Sequence, residues 1–177
     1  VEAAVAMSFE EGIVREREIF KNCVGTTESR AMRHVFFAER AAAKISGVDR
    51  DTPRRPLASA GVVGAGTMGV GITMNFANAG IPVTVVEQHT EALDHGIATI
   101  AKNYAATVSK GRLSQAEMDR RMELITPSTR LEALEQADII VEAVYEEMPA
   151  KKEVFARLDS IAKQGAILTS NTSYLNI

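Results

Sequence analysis

The residues with the clearest chemical potential lie between Ala60 and Glu87, AGVVGAGTMGVGITMNFANAGIPVTVVE. Gly64, Gly66 and Gly69 form G-x-G-x-x-G there, and Glu87 follows the last of them by 18 residues, close to the roughly 20 at which a ribose-binding acid is expected. Each glycine has its own physical task. Gly64 permits a tight turn off a strand, Gly66 lets backbone approach a pyrophosphate with no side chain in the way, and Gly69 lets a helix pack closely on a sheet. A helix beginning at this turn aims unpaired N–H groups and the positive end of its dipole at phosphates. A carboxylate at Glu87 accepts ribose hydroxyls and repels a 2′-phosphate, so the expected cofactor is NAD and not NADP. The plainer readings are a ligand-free turn and a solvated strand end, and the surrounding pattern weighs against both.

That pattern supplies the elements that must hold these groups in place. A strand precedes the turn, and a helix with Met68, Ile72 and Phe76 at helical spacing follows it. Gly80 and Pro82 end that helix, and Val83, Thr84, Val85 and Val86 carry Glu87 to the end of a second strand. Further on, Thr90 is placed to cap a helix over 91–109 with Leu93, Ile97, Ile100 and Tyr104 inward, and Ser114 with Glu117 makes a capping box for a helix reaching 123. A short strand over 124–126 stops before Pro127, and 131–136 reads as helical. The run ADIIVEAV over 137–144 has the pattern of a strand buried on both faces. Pro149 suits the first turn of a helix reaching 163, and Gly165 stands before a last strand over 166–169. Such alternation predicts an α/β fold, a doubly wound, mostly parallel Rossmann sheet with right-handed crossovers. Ligands of such sheets bind outside the carboxyl ends of the strands. The glycine turn, Glu87, Glu146, Asn171 and Ser173 all fall there, which predicts one crevice.

Upstream, two amphipathic helices are expected over 8–23 and 28–44. Ser8 and Glu11 form a capping box, Phe9, Ile13 and Phe20 partly share a face, and Ala31, Val35, Ala38, Ala42 and Ile45 form a stripe widened by Met32 and Phe36. Gly25, Thr26 and Thr27 separate the two, and neither apolar face can be buried by the pair alone. VDRDTPRRP then reads as a linker with Arg50, Arg54 and Arg55 on a solvated face. The expected divisions are a helical segment 1–47, a linker 48–57 and a dinucleotide domain 58–177, in a chain that starts at Val1 and reads as an excised piece. At 46% hydrophobic and 24% charged residues the composition is that of a folded globular chain. The net charge of −3 gives no reason to expect nucleic acid, and no apolar run suggests membrane insertion or a signal peptide. The one cysteine, Cys23, fits a reducing compartment and is expected to pack in a core rather than act as a nucleophile. No metal site is expected.

Four blocks, GVVGAGTMGVGI, VTVVE, ADIIVEAVYEEMPAKKEVF and LTSNTSYLNI, together resemble the NAD-binding domain of L-3-hydroxyacyl-CoA dehydrogenases over 58–177. SRAMRHVFFAERAAAKISG resembles the helical segment joining the enoyl-CoA hydratase (crotonase-like) half to the dehydrogenase half of multifunctional β-oxidation enzymes. The resemblance implies roles at matching positions. The turn from Gly64 to Gly69, with Thr67 and Met68 in it, would hold the pyrophosphate, and Glu87 the adenosine ribose, where the family often has Asp. Ala143, Val144 and Glu146 would line the nicotinamide side, with Lys151 reaching toward the cofactor. Asn171 and Ser173 would lie beside the nicotinamide, with Ser173 at the substrate's C3 oxygen, and Lys110 loosely matches a coenzyme A contact. Without the resemblance, Glu146 and Lys151 read as surface charges and Ser173 as turn chemistry.

The implied reaction oxidises an L-3-hydroxyacyl-CoA to the 3-ketoacyl-CoA, with hydride passing to NAD⁺. The family's base is a histidine oriented by a glutamate, beyond the NTS motif, and His34, His89 and His95 do not occupy its place. The implied partners are an acyl-CoA substrate, the remaining domains of the same polypeptide, and a homodimer or a thiolase complex. The expected compartment is a bacterial cytoplasm, with the peroxisome as the alternative. Two other readings stand: a non-catalytic NAD-binding protein of the same fold, and a related dehydrogenase acting on free hydroxy acids.

Overall fold

The computed structural model describes residues 5–49 and 51–176, in two compact units, 1–54 and 55–177. Arg50, read above as part of a solvated face, lies outside the described residues.

The first unit is a helix pair, α1 (Phe9–Gly25) and α2 (Thr27–Ala42). Ser8 and Glu11 form the expected capping box on α1. The break between the helices is a single residue, because α1 runs on through Gly25. Thr26 serves both ends: its hydroxyl donates to the Cys23 carbonyl at 2.8 Å and accepts from the Ser29 N–H at 3.1 Å. Neither helix buries a residue. Phe9, Phe20, Met32 and Phe37 are exposed, and so is Phe36, although the Arg40 guanidinium lies 3.9 Å above its ring and Phe37 packs edge-on against it at 5.3 Å. The expectation that Cys23 packs in a core is therefore corrected. It is exposed, because within this unit two helices supply no second layer.

The second unit is a five-stranded sheet of β1 (Ala60–Val63), β2 (Val83–Val86), β3 (Ile125–Ser128), β4 (Ile139–Glu142) and β5 (Ile167–Ser170). The spatial order is β3-β2-β1-β4-β5, and every pairing is parallel. The connections are α3 (Thr67–Asn78), α4 (Thr90–Ser109), α5 (Gln115–Glu123), a 3₁₀ turn (Leu131–Leu134) and α6 (Met148–Ile161). Strand side chains alternate between faces, and the two cores divide accordingly. Val62, Val83 and Val85 join Val70, Leu93, Ile100 and Tyr104 on the α3–α4 side, whereas Val63, Val86 and Ile140 join Leu131, Leu134 and Leu158 on the α6 side.

Three local expectations change. The inward stripe of α3 is Gly69, Val70, Thr73 and Ala77, and Met68 is exposed; small residues face the sheet so that the helix can sit close to it. His89, not Thr90, occupies the cap position of α4, and no side chain bonds the first-turn N–H groups there. Pro127 lies inside β3 rather than after it. The strand tolerates it as an edge strand that pairs only with β2. At the amino edge of the sheet, Arg55 donates to the Gly165 carbonyl, so this arginine is tied to the turn before β5 instead of standing free in a linker.

Candidate functional site: the carboxyl edge of the sheet

The glycine turn is built by close backbone approach. Gly64 has φ +107, and a Cβ there would stand 2.6 Å from the Ala143 carbonyl oxygen at the end of β4. A Cβ on Gly69 would overlap the Gly64 carbonyl oxygen, so only glycine lets α3 start this near β1. Gly66 differs from both. It is exposed, it caps α3, and a Cβ on it would meet nothing within 4 Å. No side chain caps α3, so its first N–H groups open onto the space Gly66 leaves. A pyrophosphate has the geometry and charge to fill it.

Glu87 closes the other side. One carboxylate oxygen accepts from the Ala65 N–H at 3.2 Å and the second from His89 N–H at 3.4 Å, which orients the acid across the turn. A cleft of about 660 Å³ joins Gly64, Gly66 and Glu87 to Ala143, Val144 and Arg157. It spans β1 and β4, where the strand order reverses, which is where such sheets bind dinucleotides.

Beside the cleft, Glu142 at the end of β4 is fully buried. Its carboxylate accepts from Lys151 Nζ at 2.9 and 3.0 Å, from Ser170 Oγ at 2.6 Å and from the Val144 N–H at 2.8 Å. Lys151, 2% exposed, gives its third donor to Glu146 at 3.1 Å. Burial disfavours its charge, but the bonds to Glu142 and Glu146 outweigh that and raise its pKa. Glu146 in turn accepts from the Thr172 hydroxyl and from the Ser173 N–H at 2.8 Å. The Thr172 bond first, then the Ser173 N–H and Lys151, hold its carboxyl down at about 2. The loop after β4, the start of α6 and the loop after β5 are thereby tied into one unit.

Gly64, Gly66, Glu87, Ala143 and Val144 line the cleft together. Thr67 and Met68 are exposed at the start of α3, and Gly69 is buried beneath the turn. Lys151 does not reach into the cleft, because all three of its donors are taken, and it is no surface charge either. Asn171 is half-buried, its N–H on the Glu142 carbonyl at 2.8 Å. Ser173 is exposed, and its hydroxyl has no partner among the described residues. Lys110 caps the far end of α4, whose 20 residues carry it roughly 30 Å from the glycine turn, so it lies apart from the cofactor cleft, where the coenzyme A end of a substrate is not required to reach. His89 flanks the cleft on the β2 side, and His34 and His95 are exposed on helices. Three residues escaped the sequence reading: Glu142, Arg157 and Gly96. A Cβ on Gly96 would stand 2.8 Å from the Ala65 Cβ and carbonyl oxygen, so α4 presses on the turn from behind. Only Glu142 left a signal, as an acid inside an apolar run.

Sheet order, open glycine turn and oriented acid define a dinucleotide-binding domain of the Rossmann class. Residues 59–177 match the family described as 3-hydroxyacyl-CoA dehydrogenase, NAD binding domain, and the chain belongs to that family, with NAD as its cofactor. It is 38% identical to the peroxisomal bifunctional enzyme of Cavia porcellus, over all of this chain and 25% of that protein. It is 31% identical to the peroxisomal fatty acid beta-oxidation multifunctional protein MFP2 of Arabidopsis thaliana, again over all of this chain and 25% of the relative. The chain thus spans about a quarter of the length of the curated relatives it matches. Among solved structures, FadB2 of M. tuberculosis superposes with a TM-score of 0.68 at 39% identity, over 70% of this chain and 44% of that one.

Proposed function

We propose that this chain is the cofactor-binding part of a multifunctional enzyme that oxidises L-3-hydroxyacyl-CoA to 3-ketoacyl-CoA in fatty acid β-oxidation and also carries an enoyl-CoA hydratase. The observation that carries the reading is the Glu87 carboxylate fixed on the Ala65 N–H, across the turn from the open face of Gly66. It pairs a hydroxyl-accepting acid with a phosphate-accepting helix end on the two sides of one turn, the groups that an adenosine diphosphate calls for. NAD⁺, when bound, supplies the hydride acceptor. Gly64, Gly66 and the α3 N–H groups hold the pyrophosphate, Glu87 the ribose, and Ala143 and Val144 the floor of the cleft. Asn171 and Ser173 face the reacting end, with the free Ser173 hydroxyl available to the substrate's C3 oxygen. The general base comes from another part of the polypeptide, since none of the three histidines stands beside Ser173. The names of the relatives favour a peroxisomal setting over a bacterial cytoplasm.

The full-length protein should reduce NAD⁺ in the presence of 3-hydroxybutyryl-CoA. Tight NAD⁺ binding without turnover of a CoA ester of any chain length would point to the non-catalytic reading, and turnover of free hydroxy acids alone to the related dehydrogenase. Calorimetry should show NAD⁺ preferred to NADP⁺. Glu87→Ala should weaken NAD⁺ by about 1.5–3 kcal/mol, the range for a hydrogen bond to a charged group. Equal affinity for the two dinucleotides would remove the role given to Glu87.

A further inference from the structure

The acids at the β4–β5 end outnumber the cation they share. Lys151 donates twice to Glu142 and once to Glu146, which uses all the donors an ammonium has. One lysine between two carboxylates leaves one net negative charge. The N-terminus of α6 offsets about half a charge, not all of it. The cluster is held rigidly by Ser170, Val144, Thr172 and Ser173, and its Glu142–Lys151 core is out of water, so salt screens that core little.

Its location gives the charge a target. β4 and β5 lie on the opposite side of β1 from β2 and Glu87. A dinucleotide that crosses the switch point with its adenosine ribose on Glu87 has its second nucleoside over the β4–β5 end. In NAD that nucleoside carries the nicotinamide, a cation when oxidised and neutral when reduced. We propose that the Glu142–Lys151–Glu146 cluster biases the bound cofactor toward its oxidised, cationic form. The inference rests on the NAD reading of the cleft, and it makes Glu146 a residue that sets the balance between NAD⁺ and NADH rather than one that only shapes a loop.

Glu146→Gln removes the charge together with the Lys151 contact, while its amide oxygen still accepts from the Thr172 hydroxyl and the Ser173 N–H that position the loop. In the full-length protein, dissociation constants for NAD⁺, NADH and ADP-ribose are measured by calorimetry for the parent and the variant. The ratio Kd(NADH)/Kd(NAD⁺) should fall by roughly three- to tenfold, the scale of one unit charge acting across a partly shielded site, with ADP-ribose affinity unchanged. Glu147→Gln removes an exposed acid of the same loop whose carboxylate makes no ion pair with Lys151, and it should move the ratio less. An unchanged ratio, or equal weakening of NAD⁺ and NADH, overturns the proposal and leaves Glu146 a loop-positioning residue. Absence of ADP-ribose binding to the parent protein would instead overturn the dinucleotide reading, and the proposal with it.

Discussion

At the amino edge of the sheet Asp138 accepts from Lys163 Nζ at 2.6 Å and from the backbone N–H groups of Ala58 and Ser59 at 2.7 and 2.9 Å. At the carboxyl edge Glu142 accepts from Lys151 and the Val144 N–H in the same style. The chemistry is alike and the surroundings are not. Asp138 and Lys163 are 20% and 35% exposed, Glu142 and Lys151 0% and 2%. Water can replace either partner at the amino edge, whereas at the carboxyl edge a lost partner leaves a charge with nothing to answer it. The amino-edge cluster fastens the chain as it enters β1. The carboxyl-edge cluster holds the loops that shape the cleft.

The comparison can be broken most forcefully at Lys151. Lys151→Met should destabilise the fold by about 3–5 kcal/mol in denaturant unfolding, the usual cost of an uncompensated buried charge. Lys163→Met should cost a small fraction of that, and equal losses would show that burial does not separate the two edges. Gly69→Ala comes next, at about 1–3 kcal/mol for forced overpacking, because its Cβ would meet the Gly64 carbonyl rather than a movable side chain. It should also weaken NAD⁺ binding, which Lys163→Met should leave alone.

Acid should act on both edges, with the smallest effect and a defined sign. Glu146 is lowered from 4.5 to about 2 by the Thr172 hydroxyl above all, and Asp138 from 3.8 to about 2 by Lys163 above all. A carboxyl lowered in the folded state contributes stability that is present above its unfolded value and lost as pH falls through the folded one. Unfolding free energy should therefore decline between about pH 4.5 and 2, and Glu146→Gln and Asp138→Asn should each flatten that decline. Carboxyl NMR titration of the two residues gives the direct check, and ordinary midpoints at either would remove that cluster from the account.

The parts legible in the sequence were those fixed by local rules. Glycine spacing, the distance to Glu87, the two capping boxes and the alternation of strand and helix each follow from short-range geometry, and they sufficed for the sheet and the β1–β2 half of the cleft. What escaped depended on contacts between distant segments. Glu142 lay inside a run read as apolar, and only the arrival of Lys151 and Ser170 makes burying it tolerable. Gly96 looked like any helical glycine until Ala65 was found against it. Met68 fitted a helical stripe, but the small residues one step round the helix set which face meets the sheet. The helix pair showed its apolar faces plainly, and no residue of either helix is buried.

Pro127 has a further consequence, for assembly. The Val83 N–H donates to the Leu124 carbonyl and the Glu87 N–H to the Ser128 carbonyl, so the even-numbered residues of β3 bond to β2, and Pro127 turns its nitrogen outward. The outer rim of β3 thus lacks a donor midway along its four residues. A foreign strand laid there would find a broken ladder, so this border of the sheet is guarded against stray pairing. The four residues of β5 include no proline, so the ladder on that border is unbroken.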